Sequence, residues 1–273
     1  MTDSSTLSSP SVNDNVISRL LVLSFVQLLK HVKPRKGDVL LASKRICIKY
    51  GRLVQLSEAS SIRFISQRTS IPVPKVICAF EHRGVTYIVM ERIDGQMVGS
   101  GWLNRSVASR TKILTQLRGL IQQMRDIPAP SDVGVANVDG GAIYDCRLPG
   151  PSLHFGPFRD VAHFHHHLRR GFEHDTRLEP EINRLIDLGS GQWSIVFTHG
   201  DLSSLNILVQ GDKVVGIVDW ETAGWYPAYW EYTTACQVNP QNLFWREEID
   251  RFLQPFPAEL EMERIRSKYF GDY

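Results

Sequence analysis

The stretch FTHGDLSSLNILVQGDKVVGIVDWE, Phe197 to Glu221, limits the possible folds of this 273-residue chain more than any other. Ile207–Val209 and Val214–Val218 are short aliphatic runs, and Gln210–Lys213 between them carries the Gly and Asp of a tight turn, so the spacing predicts an antiparallel hairpin. The start of the first strand then lies beside the end of the second, which brings Asn206 and Asp219 to one mouth. Asp201, five residues ahead of Asn206, can loop back to the same place. Two carboxylates and a carboxamide converging there make an oxygen-rich site suited to Mg²⁺, a hard cation that keeps waters and substrate phosphates as its other ligands. The plainer alternative is a loop of turn-forming polar residues, because Asp and Asn favour turns in any case.

Upstream, apolar residues at Val16, Ile17, Leu20, Leu21, Leu28 and Leu29 recur with a helical period from Asn15 to Val32, predicting an amphipathic helix that packs on the rest and stops before Pro34. Val39–Ala42 and Arg45–Tyr50 read as a hairpin, which puts Lys49 on a strand. Leu56–Arg68 has helical spacing with Glu58 early in it, and IPVP at Ile71–Pro74 ends it. Strands follow at Lys75–Phe80 and Thr86–Glu91 around a His82–Gly84 turn, and then a glycine-containing break at Ile93–Gln96. Helices are expected at Val107–Arg125, Arg159–Phe172, Glu179–Leu188 and Phe244–Phe252. The division expected is a flexible segment 1–14, a strand-rich lobe 15–92, a linker 93–96 and a helical lobe 97–273. Lys49, Glu58, Asp201, Asn206 and Asp219 thus occur in the order of the parts of kinase-type phosphoryl transfer. In that chemistry a Lys–Glu pair holds phosphates, an Asp takes a hydroxyl proton, and an Asn and a second Asp hold Mg²⁺.

HGDLSSLNILV, GIVDWETAGWYPAYWEY, CIKYG, the SEASSIRFI helix with IPVPKV after it, and YIVMERIDG together resemble the aminoglycoside phosphotransferase and choline kinase superfamily, most closely its fungal branch of small-molecule kinases. The resemblance covers roughly Val39 to Tyr232. It implies an α+β, protein-kinase-like fold of two lobes, a small β-rich N-lobe with a helix and a larger, mainly helical C-lobe. It also implies ATP and Mg²⁺ as cofactors and a small-molecule hydroxyl as acceptor. By the same analogy Asp201 is the general base, Asn206 and Asp219 bind the metal, Lys49 binds phosphate and Glu58 orients it. Met90, Glu91 and Ile93 form the adenine-contacting hinge, and His199 supports its loop. One family part is missing: upstream of Lys49 the only glycine is Gly37, where kinases place a glycine-rich loop over the phosphates. Either Lys33–Asp38 substitutes for it or the first strand is truncated.

With 31 Lys+Arg against 29 Asp+Glu the chain lacks the dense basic stripe of a nucleic-acid binder. At +2 it also lacks the acidic bias that attracts polycationic substrates, so a neutral or lipophilic acceptor is expected rather than an antibiotic. Cys47, Cys78, Cys146 and Cys236 lie far apart and suggest a reducing compartment. Leu20–Leu29 is too short to span a bilayer, and the Ser/Thr-rich start lacks a basic leader, so a cytoplasmic protein with neither membrane nor nucleic-acid partner is expected; monomer and dimer stay open. In His163–His167 the helical wheel turns Val161, Phe164, His165, Leu168 and Phe172 to one face and leaves His163, His166 and His167 mostly outward, as a solvated face rather than a metal site. Trp220, Trp225, Tyr226, Tyr229, Trp230 and Tyr232 are expected mostly in the core. A kinase-fold protein without kinase activity, either a binding module or a scaffold repurposed for another reaction, is the alternative, because fold alone does not fix function.

Overall fold

The structure is a computed structural model, and it describes residues 8–145, 147–148, 152–237 and 242–271; Cys146 lies outside them. In chain order the elements are α1 (Val16–Leu29), β1 (Arg35–Lys36), β2 (Val39–Leu40), β3 (Ile46–Gly51), α2 (Leu56–Arg68), β4 (Val76–His82), β5 (Val85–Glu91), β6 (Gln96–Met97) and α3 (Val107–Arg125). They continue with β7 (Ala136–Asn137), β8 (Ile143–Tyr144), β9 (His154–Phe155), α4 (Val161–Leu168), α5 (Pro180–Leu188), β10 (Ile195–Thr198), β11 (Ile207–Gln210) and β12 (Lys213–Ile217). The last are β13 (Gly224–Pro227), α6 (Trp230–Ala235), α7 (Leu243–Arg246) and α8 (Pro257–Phe270). Two compact units emerge: Ser8–Gln116 with Ser204–Glu221, and Leu117–Ser203 with the chain from Thr222 onward.

The first unit is built on an antiparallel sheet in the order β1-β2-β3-β5-β4, with Lys49 paired to Ile88 and Cys47 to Met90. Because side chains alternate, Lys49 and Cys47 share one face of this sheet while Ile48, Val89, Cys78, Phe80 and Leu40 form the other. That second face is covered by Val22 and Val26 of α1, a burial of about 1.5–3 kcal/mol for each valine. The helix therefore forms where its period predicts, but Val16, Ile17, Leu20, Leu21 and Leu28, expected to pack, are exposed. The helix is apolar almost all round, so its period could not say which stripe the sheet would select. Residues 8–14 depart from the expected flexible segment at Val12, which is buried and exchanges backbone hydrogen bonds with Ala79 at 2.8 and 2.9 Å.

The predicted hairpin at the centre of the sequence forms as β11–β12, with Ile207 opposite Ile217, and β6 pairs with β11 on its other side. The second unit contains the sheet β10-β13-β7 and the pair β8–β9, packed with α4, α5 and α8 around Phe164, Tyr226, Tyr229 and Trp230. All six aromatics from Trp220 to Tyr232 named above are buried, as the core reading expects. In α4, Phe164, His165 and Leu168 are buried while His163 and His166 are exposed, although Phe172, placed with the inward face, is 42% exposed beyond the helix end. The helix expected at Phe244–Phe252 is the single turn of α7 followed by a 3₁₀ turn at Ile249–Arg251, and α8 was not anticipated. Cys47, Cys78 and Cys236 are buried free thiols. Among the described residues no helix is long and apolar enough to cross a membrane.

Candidate active site

Within the first unit a cleft of about 470 Å³ opens on the Lys49 face of the sheet. Its floor is ionic. Lys49 Nζ lies 2.9 Å from Glu58 Oε2, 2.6 Å from Asp219 Oδ1 and 2.9 Å from Glu221 Oε2. Glu58 comes from the first turn of α2 and is 1% exposed, so its only means of remaining charged is a cation at contact distance. Burial opposes the charge on Lys49, but Glu58, Asp219 and Glu221 outweigh it and hold the ammonium well above the usual lysine range. Burial likewise pushes the Glu58 carboxyl up, and the pull of Lys49 offsets this only in part. Three carboxylates face one ammonium, so the cage keeps a negative excess.

Asp219 and Asn206 reach this place through the hairpin. Ile207 pairs with Ile217, and the Val218 amide donates to the Asn206 carbonyl at 2.9 Å, which fixes the two chain ends side by side. Immediately after, Asp219 takes φ +66°, a left-handed conformation uncommon for a residue with a side chain and typical of sites where backbone strain serves a purpose. Both residues line the cleft. Carboxylate oxygens of Glu58, Asp219 and Glu221 all lie within 4.8 Å of one another. With the Asn206 amide at the same cleft, an all-oxygen donor set with excess negative charge fits a hard divalent cation such as Mg²⁺.

The other walls account for the remaining sequence expectations. Met90, Glu91 and Ile93 line the cleft beside Cys47 and Pro74, and the Cys47 thiol is pushed by burial up to about 11, so it contributes as a small apolar group. Where a glycine-rich loop was missed, β1 and β2 form a short hairpin whose turn, Gly37 with φ +55° followed by Asp38, lies at the cleft with Lys36 and Val39. Of the segment Lys33–Asp38, Lys36, Gly37 and Asp38 line this wall. Its strand β1 is only Arg35–Lys36, two charged residues with no β pattern to reveal them.

Asp201 belongs to the second unit, in a loop gripped by its backbone. Glu231, 2% exposed on α6, accepts from the His199 amide at 2.7 Å and from the Gly200 amide at 3.0 Å. The Thr222 hydroxyl donates to the His199 carbonyl at 2.9 Å, and the Asp201 amide donates to His199 Nδ1 at 3.1 Å. Gly200, at φ +83°, has no room for a side chain, because a Cβ would stand 2.9 Å from the Thr222 hydroxyl. Arg147 donates to the Gly200 carbonyl at 2.6 Å and forks onto the buried Asp145 at 2.8 and 2.7 Å. Burial disfavours the Arg147 charge, yet Asp145 and, at longer range, Asp201 raise its proton affinity further.

The structure thus gathers Lys49, Glu58, Met90, Glu91, Ile93, Asn206 and Asp219 at one cleft, and sets Asp201 in a separately braced loop. Sequence reasoning missed Glu221, Glu231, Asp145 and Arg147. Glu221 was within sight, two residues beyond Asp219 in DWE. Arg147 lay in YDCRLP, a segment whose residue types carry no chemistry until their partners are known.

The chain belongs to the phosphotransferase enzyme family, whose pattern matches residues 55–266. An aminoglycoside 3'-phosphotransferase from Niallia circulans is 25% identical over 171 residues, 60% of this chain and 58% of that protein. A trifolitoxin immunity protein from Rhizobium leguminosarum bv. trifolii is 32% identical over 121 residues, 41% of this chain and 46% of that protein. The chain therefore spans about half the length of these curated relatives. Among solved structures, the streptomycin and ATP ternary complex of APH(2'')-IIa matches with a TM-score of 0.57 at 11% identity, covering 94% of this chain and 88% of that one. ADP-bound aminoglycoside phosphotransferase APH(2'')-Ib matches with a TM-score of 0.57 at 13% identity, covering 88% and 84%. The fold is the α+β, protein-kinase-like fold of aminoglycoside phosphotransferases, strand-rich in its N-terminal part.

Proposed function

We propose that this protein is an ATP-dependent phosphotransferase that moves the γ-phosphoryl group to a hydroxyl of a small molecule. The observation that carries the reading is the cage around Lys49: a buried Lys–Glu pair beside two further carboxylates, in a cleft that Met90–Ile93 and the β1–β2 turn also line, in a member of a phosphotransferase family. Lys49 binds the α- and β-phosphates, and Glu58 fixes its direction. Met90, Glu91 and Ile93 contact the adenine as the connection between a lobe at 15–92 and one at 97–273. Asn206 and Asp219 would hold Mg²⁺, with Glu221 near enough to assist, and the bound ion supplies charge neutralisation for the transferring phosphoryl group.

Asp201 accepts the proton of the acceptor hydroxyl while that oxygen bonds to the γ-phosphorus. The bond from the γ-phosphorus to its bridging oxygen breaks, and ADP leaves. Glu231 and Arg147 act through the loop: by fixing the amides and carbonyl on either side of Gly200 they set where the Asp201 carboxylate stands. The small net charge offers no field for a polycation, so the acceptor class proposed is a neutral or lipophilic alcohol, phosphorylated in a cytoplasmic setting.

The test is ADP formation from Mg·ATP against a panel of aminoglycosides and neutral alcohols, with wild type and Asp201→Asn side by side. Turnover on neutral alcohols that Asp201→Asn abolishes is the expected result. Turnover confined to aminoglycosides overturns the acceptor class, and full activity in Asp201→Asn overturns the assignment of the base.

A further inference from the structure

We propose that the outward face of α1, with the basic run that follows it, docks on an anionic lipid surface. The helix gives the sheet Val22 and Val26, with Leu29 packed partly buried beside them. On the opposite side Val16, Ile17, Leu20, Leu21, Phe25 and Leu28 are 53–72% exposed, and Val32 just beyond the helix is 72% exposed. At 100° per residue these six fall within one half of the wheel, interrupted only by Ser24 and Gln27. The single charged side chain of the helix, Arg19, is turned away from that face: it pairs with Asp14 at 2.5 Å and lies over the Phe80 ring of the sheet. A soluble protein seldom leaves so continuous an apolar strip uncovered.

Charge indicates what covers it. No acidic residue occurs between Asp14 and Asp38, whereas Lys30, Lys33, Arg35 and Lys36 follow the helix and are exposed. Arg35 is partly answered by Asp38 at 3.1 Å, and the three lysines leave a positive excess next to the apolar strip. An exposed apolar helix face edged by lysines is the pattern of a helix lying in the plane of an anionic membrane surface. Spanning is excluded by length, since 14 residues extend about 21 Å. A second copy of the chain is the weaker occupant. Pairing through this helix alone buries a few hundred Å² per partner, against about 800 Å² in a stable interface. This departs from the expectation that the protein has no membrane partner. Docking here also leaves the cleft open, because α1 covers the sheet face opposite Lys49.

Vesicle cosedimentation tests the proposal, with phosphatidylcholine alone or with about 30 mol % phosphatidylserine, together with light scattering of the lipid-free protein. Binding to the anionic vesicles roughly tenfold stronger than to neutral ones, and weakened by high salt, is expected. Leu20→Ser/Leu21→Ser should abolish it, and Lys30→Glu should weaken the anionic preference. These three residues are exposed and none lines the cleft, so an unchanged melting temperature and unchanged nucleotide binding serve as controls for folding. Three results overturn the proposal: equal recovery with neutral and anionic vesicles, binding retained in Leu20→Ser/Leu21→Ser, or no vesicle binding at all. In the last case a lipid-free dimer that the leucine variant splits assigns the face to a second copy.

Discussion

Lys49 is positioned by charge, among three carboxylates of which Glu58 is buried while Asp219 and Glu221 remain part-exposed at the cleft. The Asp201 loop is positioned by backbone hydrogen bonds: Glu231 takes two amides, and Thr222 and Arg147 donate to two carbonyls. An ionic cage of this sort can exchange partners, because the part-exposed carboxylates are not committed by burial and can turn to a metal ion while the Lys49 ammonium turns to phosphate. A backbone clamp has one geometry. Under the proposed roles, the first arrangement suits binding of charged ligands that come and go, and the second suits a base that must stand still.

The comparison is broken most severely at Asp201. Asp201→Asn should lower kcat by about 10³-fold or more while nucleotide affinity and melting temperature stay near wild type, as measured by steady-state kinetics and calorimetry. Next is Lys49→Met, which leaves the Glu58 carboxylate buried without its cation and should cost about 3–5 kcal/mol in urea unfolding. Adding Glu58→Gln should recover much of that stability but none of the nucleotide binding, which separates the structural and functional work of the pair.

In the clamp, Arg147→Gln should reduce kcat by about 10²-fold with little change in the KM for ATP, through loss of the hold on the Gly200 carbonyl. Arg147→Lys should recover only part, because an ammonium cannot fork onto Asp145 and reach the carbonyl together. A loss of kcat that tracks a lowered melting temperature and folded fraction would assign Arg147 to general folding instead.

The smallest effect is a pH dependence of the second unit. His165 is buried; its Nδ1 lies 2.9 Å from the Gly189 carbonyl, which can only accept, so Nδ1 carries the proton and Nε2 accepts from the Tyr229 hydroxyl at 2.6 Å. Burial lowers its pKa below the usual 6.5. Below that value the unfolded chain binds the proton that the folded one refuses, so the stability from His165 is present above pH 6.5 and lost as pH falls through the folded value. His165→Gln should flatten the fall in melting temperature between neutral pH and pH 5 relative to wild type, as read by thermal denaturation over a series of pH values.

What the sequence disclosed followed the same division. Lys49, Glu58, Asn206 and Asp219 were legible because each stands at a fixed offset from an apolar strand or helix pattern, and local periodicity places such residues. Glu231 and Arg147 were not, because their roles depend on contacts to Gly200, 31 and 53 residues away along the chain respectively. β1 was hidden by its two charged residues, and the packed face of α1 by an excess of apolar ones. α8 carried a readable signal in Pro257 at its first turn and in Met262, Ile265 and Phe270, all buried, within a run of strong helix formers.

The central claim is that the Lys49 cage is a metal and nucleotide site. It is tested most directly by titrating ATP into wild type and Asp219→Asn by calorimetry, each with and without Mg²⁺. The account predicts tight binding only in wild type with Mg²⁺, with at least about a tenfold loss on removing either the ion or the carboxylate. Binding that is indifferent to both, or no binding in any of the four titrations, would contradict it; the second result favours a kinase-fold scaffold without kinase activity.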